Sequence, residues 1–267
     1  MADDLPSGFF VADSERDPLR GVQSEGKRKL PKRFYKEATA VLREGAYAVL
    51  LDGKAVRTPA GATLALPTQA AAELVRDEWA GQGEDIDPST MPVMRLINSA
   101  IDGVARDVGE VAAEIVKYAG SDLVCYRAGE PPRLIAMQAE IWDPVLAFAR
   151  EKLGARFVLA EGVMFAQQPA QAMEAFARAV DFYCRAPDAA FRIAALHSMT
   201  TLTGSALIAV ACARGALGLD AAWAGAHVDE DWQMNLWGMD AEALAKRAQR
   251  FHDMKAAADL WTALGPV

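Results

Sequence analysis

The spacing of glycine turns constrains the fold of this chain more than any other feature. Between residues 38 and 68, three turns separate short apolar segments: Glu44-Gly45, Asp52-Gly53 and Ala60-Gly61. An Asp-Gly pair between alternating apolar runs is a strong hairpin signal, so this region predicts a small antiparallel β-meander. Thr68 then suits a helix N-cap, and the apolar residues of 69–82 recur with helical spacing.

From about residue 90 the pattern is helical and rich in alanine. Apolar periodicity predicts helices over 91–102, 107–119, 132–153, 169–185, 188–214, 219–236 and 239–263. We expect Gly204 to break the helix in which it lies, and Pro144 to kink its helix or to begin a second one. The order predicts an α+β fold with three parts: a flexible lead-in over 1–30, a small α/β domain over 31–100 and a larger all-α bundle over 101–267.

Composition favours a soluble protein with a substantial core. Hydrophobic residues make up 52% of the 267 residues, and the formal charge is −8 from 28 Lys and Arg against 36 Asp and Glu. This balance excludes disorder as the main state and argues against a nucleic-acid-binding domain, which is usually basic. The three cysteines offer no disulfide framework, and the acidic first residues differ from a signal or transit sequence. The longest apolar stretch, Ala206–Ala213, is too short to span a bilayer. We expect a cytoplasmic protein without membrane insertion.

No catalytic motif is complete in the sequence. The stretch Gly21–Arg28 begins like a phosphate-binding loop, but Arg28 replaces the metal-binding hydroxyl and no apolar strand precedes it. The sequence contains neither a nucleophile elbow nor a dinucleotide-binding glycine pattern. His197, His227 and His252 have no metal-ligand spacing. The residues themselves therefore reveal no active site and no cofactor site, which counts as evidence against an enzyme, although a small-molecule enzyme with a pocket near His227 and Asp231 stays a competing hypothesis.

The most distinctive polar cluster lies within residues 226–237. It contains an acidic and aromatic run: Asp229, Glu230, Asp231, Trp232 and Gln233. An apolar stripe follows the same segment at helical spacing: Val228, Trp232 and Leu236. The segment is therefore either a core stripe with a solvated acidic edge or a docking face around an aromatic anchor. His227 and Asp231 would share a helix face, which suits a metal pair, although an ion pair or hydrogen bond is the commoner arrangement.

A second cluster, residues 27–36, has six basic residues among ten, with Phe34 and Tyr35 between them. Basic and aromatic residues together suit a nucleic-acid or protein adaptor. Because the whole chain is acidic, a solvated or partner-facing segment is favoured over a nucleic-acid contact. An adaptor that uses this segment is the alternative function.

Several short motifs, taken in order, resemble one family. They are KRFYKE at 32–37, LDGKAVRTP at 51–59, LPT at 66–68, EW at 78–79, DPSTMPVMRLIN at 87–98, YAGSDLVCYR at 118–127, WDP at 142–144, GS at 204–205, Trp223, DEDWQ at 229–233 and WG at 237–238. Together they resemble the bacterial branch of the family of assembly chaperones for F-type ATP synthase that binds the α subunit. The likeness extends from about residue 30 to residue 253.

The resemblance implies a non-enzymatic role. Members of this family hold the free α subunit and cover the surface that later contacts β, until β displaces the chaperone. An unassembled obligate interface is large and apolar, so covering it prevents aggregation. The family fold is a small α/β domain followed by an orthogonal helical bundle. The implied partner is the α subunit rather than a nucleic acid, and we expect a monomer in the bacterial cytoplasm.

The resemblance also indicates candidate residues. The run Asp229–Gln233 is expected to face the partner, because three consecutive acids are rarely buried. Trp79 is expected to be mainly structural, since large aromatic residues at helical spacing usually pack in a core. Arg33, Phe34 and Tyr35 lie in the first family motif and are structural or partner-binding candidates.

Overall fold

The structure is a computed structural model that describes residues 30–162, 164–238 and 240–267. The described chain divides into two compact units, one that ends at Arg106 and one that begins at Asp107. All but the last residue of the predicted lead-in over 1–30 lies outside the described residues, and so does the phosphate-loop-like stretch. The predicted domain boundary at residue 100 falls within a helix of the first unit.

The first unit contains a four-stranded antiparallel sheet. Its strands are β1 (Ala38–Arg43), β2 (Ala46–Leu51), β3 (Lys54–Ala55) and β4 (Ala65–Leu66). β2 pairs with all three other strands, so it forms the centre of the sheet. Two residues with positive φ form each of the first two turns: 52° and 84° at Glu44-Gly45, 46° and 81° at Asp52-Gly53. Such turns match the twist of paired strands, and the predicted meander is confirmed.

Two helices complete this unit. They are α1 (Gln69–Ala80) and α2 (Pro92–Asp102). The Thr68 hydroxyl accepts a hydrogen bond from the Ala71 N–H at 3.1 Å, which confirms Thr68 as the N-cap of α1. The Glu78 carboxylate accepts the N–H groups of Val93 and Met94, each at 2.7 Å. Glu78 therefore caps α2 from the neighbouring helix and fixes the two helices to each other.

The second unit is largely helical. Its helices are α3 (Val108–Ala119), α4 (Pro132–Lys152), α5 (Ala170–Cys184), α6 (Ala189–Thr203), α7 (Ala206–Ala213), α8 (Leu219–Ala226), α9 (Val228–Trp237) and α10 (Ala241–Ala263). Two short strands, β5 (Tyr126–Arg127) and β6 (Ala160–Glu161), pair in parallel. Buried α6 packs against α3, α5, α7 and α10, and forms the centre of this unit. The predicted α+β fold class is confirmed.

The two predicted helix interruptions have different outcomes, and a third interruption was not predicted. Gly204 adopts a left-handed φ of 66° and ends α6, and Ser205 caps α7, so this break is confirmed. No second helix begins at Pro144, and α4 continues through this residue. The neighbouring Trp142 and Val145 are buried, so packing holds the helix on both sides of the proline. The single helix predicted over 219–236 is wrong, since α8 ends and α9 begins at His227.

None of the helices in the described part of the chain combines the length and the apolar character needed to cross a bilayer.

Candidate functional site

The junction between α8 and α9 positions the acidic and aromatic run. His227 is buried there, its Nδ1 donates to the Trp223 carbonyl oxygen at 2.7 Å, and the two rings pack with centroids 4.1 Å apart. Burial lowers the pKa of His227 below its usual value, so the ring is neutral at pH 7. The first turn of α9 carries Asp229, Glu230 and Asp231, and acids at this end favour a helix start. The acids and the buried ring together explain why a new helix begins at this point.

Asp229 faces the interior of the unit. Its Oδ1 accepts a hydrogen bond from Gln138 Nε2 of α4 at 2.7 Å. The other amide atom, Gln138 Oε1, accepts from the Ala128 N–H at 2.8 Å, and Gln138 is itself buried. One glutamine therefore joins α9, α4 and the segment after β5. Asp229 holds α9 in place, in addition to any role in binding.

Asp231 is also occupied within the unit. Both of its carboxylate oxygens accept hydrogen bonds from the Arg247 guanidinium of α10, the second at 3.2 Å. This pair orients α9 relative to α10 through a bidentate contact. His227 and Asp231 thus have other partners, and among the described residues no three His, Cys, Asp or Glu side chains are grouped to hold a metal ion. The structure therefore gives no support to the metal pair considered from the sequence.

The remaining residues of the run lie further out. Trp232 is half-buried, and the Arg133 guanidinium of α4 lies 5.9 Å from its ring centroid. Gln233 and Glu230 are exposed, and the Glu230 side chain is 62% exposed. Its carboxylate lies 3.9 Å from Nε2 of the buried His227 ring. Of the three acids, Glu230 is the one directed to solvent.

Two large apolar residues extend this surface at the end of α9. Leu236 and Trp237 are exposed, and Trp237 has 86% of its surface accessible. The helix ends at Gly238, whose φ of 90° directs the chain away. The sequence left open whether Val228, Trp232 and Leu236 form a core stripe or a docking face, and of these three only Val228 is buried. The Trp237-Gly238 pair was visible as a family motif, and its exposure was not predicted. Glu230, Gln233, Leu236 and Trp237 are called the α9 surface below.

The candidates of the first unit have mostly internal contacts. Trp79 is fully buried, its carbonyl oxygen accepts from the Tyr35 hydroxyl at 2.6 Å, and the two rings meet edge to face. Arg33 stacks over the Tyr35 ring and donates to the carbonyl oxygens of Tyr35, Lys36 and Gln82. Phe34 alone is exposed, at the side of Tyr35. These contacts favour a structural role for Trp79, Tyr35 and Arg33.

The same geometry bears on the adaptor hypothesis for residues 27–36. Lys32 pairs with Asp85 at 3.0 Å and with Glu84 at 3.7 Å, and Arg33 has the carbonyl partners described above. These two cations are therefore committed to contacts within the chain, which weakens the case for phosphate binding. Residues 27–29 lie outside the described part of the chain.

Comparison with known proteins identifies relatives of this chain. A family profile described as ATP12 chaperone protein matches residues 32–150. A crystal structure of a candidate chaperone from Agrobacterium tumefaciens matches with a TM-score of 0.84 and 49% identity, over 94% of this chain and 92% of that one. The crystal structure of Atp12 from Paracoccus denitrificans matches with a TM-score of 0.79 and 35% identity, over 88% of this chain and 98% of that one. The mitochondrial protein atp12 of Schizosaccharomyces pombe is 22% identical over 221 residues, which are 78% of this chain and 74% of that protein.

An α+β fold shared over nearly the whole length of such relatives defines the class of protein as a chaperone. The chain belongs to the ATP12 chaperone family. The family resemblance identified from the sequence is therefore confirmed.

Proposed function

We propose that this chain binds the free α subunit of F-type ATP synthase through the α9 surface and releases it when the β subunit arrives. The ATP12 family serves the assembly of ATP synthase, and this protein shares that role. That the client is the α subunit is what we propose beyond this shared role. It follows from the family branch that the sequence motifs resemble.

The proposal rests on one observation: some polar side chains of α9 bind to the rest of the unit, while other side chains of the same helix are exposed to solvent. Asp229 and Asp231 hold the helix from inside through Gln138 and Arg247, while Trp237 stays 86% exposed. A large aromatic side chain exposed on the same helix as an exposed acid is typical of an interaction site. A fixed helix also keeps the ordering entropy of binding low, since the surface is formed before the partner arrives.

The chemistry of the client fits this surface. The face of an α subunit that will contact β is an obligate interface, which is apolar and tends to aggregate when free. An exposed tryptophan and leucine can cover part of such a face, and Glu230 at the edge can meet a basic residue. Covering a surface needs no bond-making step, so we also propose that the protein acts as a monomer without catalytic activity, in the bacterial cytoplasm.

Co-expression tests the function directly. The chain is produced together with its cognate α subunit and without β, and the amount of soluble α that co-purifies is measured. We expect a one-to-one complex that dissociates when purified β is added. Equal aggregation of α with and without the chain would refute the proposal.

The substitution Glu230→Lys is expected to weaken the capture of α roughly fivefold while the fold is retained, because it reverses the exposed charge at the rim of the α9 surface. The matched control is Glu151→Lys at the end of α4, whose side chain is 60% exposed, against 62% for Glu230. Capture is measured by co-purification and the fold by circular dichroism. If both variants behave alike, the rim charge has no role in binding.

A further inference from the structure

The segment Phe157–Gln168, called the arm below, has the second group of exposed apolar side chains in this unit. Met164 is 76% exposed and Phe165 is 70% exposed, and Val158 and Leu159 are exposed as well. These four side chains lie within eight consecutive residues, of which Val163 is not described. Exposed apolar side chains that are concentrated in one place commonly indicate an interaction site.

The base of the arm is firmly attached to the unit. The buried Gln168 side chain accepts from the Val158 N–H at 2.8 Å and donates to the Val158 carbonyl oxygen at 3.0 Å. The Phe157 ring meets Phe176 of α5 edge to face, 6.2 Å between centroids. The Gly162 N–H donates to the Arg127 carbonyl oxygen at 2.9 Å, beside the pairing of β6 with β5. The exposed side chains of Met164 and Phe165 therefore belong to a segment that is held to the unit at both ends.

A short path of contacts joins the arm to the α9 surface. Glu161 of β6 pairs with Arg127 of β5, and the next residue, Ala128, donates its N–H to Gln138. Gln138 in turn donates to Asp229 in the first turn of α9. Because each step is a backbone pairing or a hydrogen bond, the base of the arm and the first turn of α9 are held in a fixed relative position before any partner binds.

Charge indicates that both surfaces take the same kind of partner. No lysine or arginine occurs between Phe157 and Ala177, and Glu161 on the arm is exposed. The α9 surface combines apolar side chains with an exposed acid in the same way, through Glu230. A partner that is apolar and carries a lysine or arginine at its border would complement the exposed acid of each surface.

We infer that the arm is a second contact for the client of the α9 surface, and that Met164 and Phe165 bury apolar surface of a free α subunit bordered by basic residues. This inference rests on the proposed function, since it names a further contact for the same client. It makes capture bivalent, with two apolar anchors that engage one partner.

The test compares two double variants in the full chain. Met164→Ser with Phe165→Ser removes the tip of the arm, and Leu42→Ser with Phe182→Ser removes two exposed apolar residues elsewhere. Exposed side chains contribute little to folding, so both variants should keep the circular dichroism of the original chain. We expect the arm variant to retain α at least about tenfold more weakly than the original chain, and the control variant to retain it equally well.

The outcomes separate the two proposals. If the original chain fails to keep α soluble, the proposed function and the arm contact fall together. If the original chain and the arm variant retain α equally, the proposed function stands and the arm contact is refuted. If the arm variant changes only the oligomeric state of the chain, measured by light scattering, the arm binds a second copy and the inference is likewise overturned.

Discussion

The Trp79→Arg protein is expected to lose the folded structure of the first unit. Trp79 is fully buried, and its backbone oxygen and ring both contact Tyr35. Removing a buried tryptophan side chain costs about 3–5 kcal/mol, and an unpaired guanidinium in the same place adds the cost of burying a charge. The sum is comparable to the whole stability of a domain, which is about 5–15 kcal/mol.

Thermal unfolding followed by circular dichroism measures this effect. The matched control is Trp237→Arg, the same change at a tryptophan that is 86% exposed. The control should keep the helical signal and the melting temperature, and should lose capture of α because Trp237 lies on the α9 surface. A Trp79→Arg protein that melts like the original chain would show that this indole contributes little to the core.

The stability of the second unit is expected to fall as pH rises from about 4 to about 6, through the buried carboxyl group of Asp122. This group accepts hydrogen bonds from the Ser205 hydroxyl and from the N–H groups of Leu207 and Val124. It thereby joins the 3₁₀ turn at Leu123–Cys125 to the first turn of α7. Burial raises the pKa of Asp122 from 3.8 to about 6, against the opposite effect of these hydrogen bonds.

The direction of this pH dependence follows from the number of protons that each state binds. Between pH 4 and 6 the folded protein holds this proton, whereas the unfolded chain has released it, so rising pH favours the unfolded state. The difference of about two pKa units between the folded and unfolded states lowers the free energy of unfolding by about 3 kcal/mol. This loss is complete above pH 6. Below pH 4 both states are protonated, and the dependence vanishes.

Denaturant unfolding at pH 4, 5, 6 and 7 measures this prediction in the original chain and in Asp122→Asn, which has similar volume and no titrating group. The difference in unfolding free energy between the two proteins should change by about 3 kcal/mol across the window, in favour of the original chain at low pH. Asp122→Ala should be the least stable of the three at pH 7, because it leaves three donors without their acceptor. A difference that does not vary with pH would contradict the assignment to Asp122.

The elements that the sequence predicted well depend on neighbouring residues. The Asp52-Gly53 turn and the end of α6 at Gly204 each need a positive φ, which glycine supplies wherever it stands. The apolar spacing along α3, α5 and α10 placed these helices to within two residues of their observed ends. The family motifs identified the chaperone class for a similar reason, since they are short and local.

The division between α8 and α9 was missed because its cause is a buried contact. The apolar periodicity over residues 219–236 is helical throughout. The break comes from His227, whose buried imidazole donates a hydrogen bond to the Trp223 carbonyl oxygen. Glu78 is a similar case, because its role as the cap of α2 needs the N–H groups of residues 15 and 16 positions away.

The acidic run of α9 shows most clearly what the sequence determined about this protein and what the tertiary structure determined. By itself, the sequence established the fold class, the turns, most helices, the family and the charge of the α9 segment, all of which follow from residue type and short spacing. Only the tertiary structure decided that Asp229 and Asp231 are held by Gln138 and Arg247, 91 and 16 residues away, while Glu230 and Trp237 face solvent. Neighbouring residues of the same type have the same local propensities, so their exposure depends on which distant side chains the fold brings beside each one.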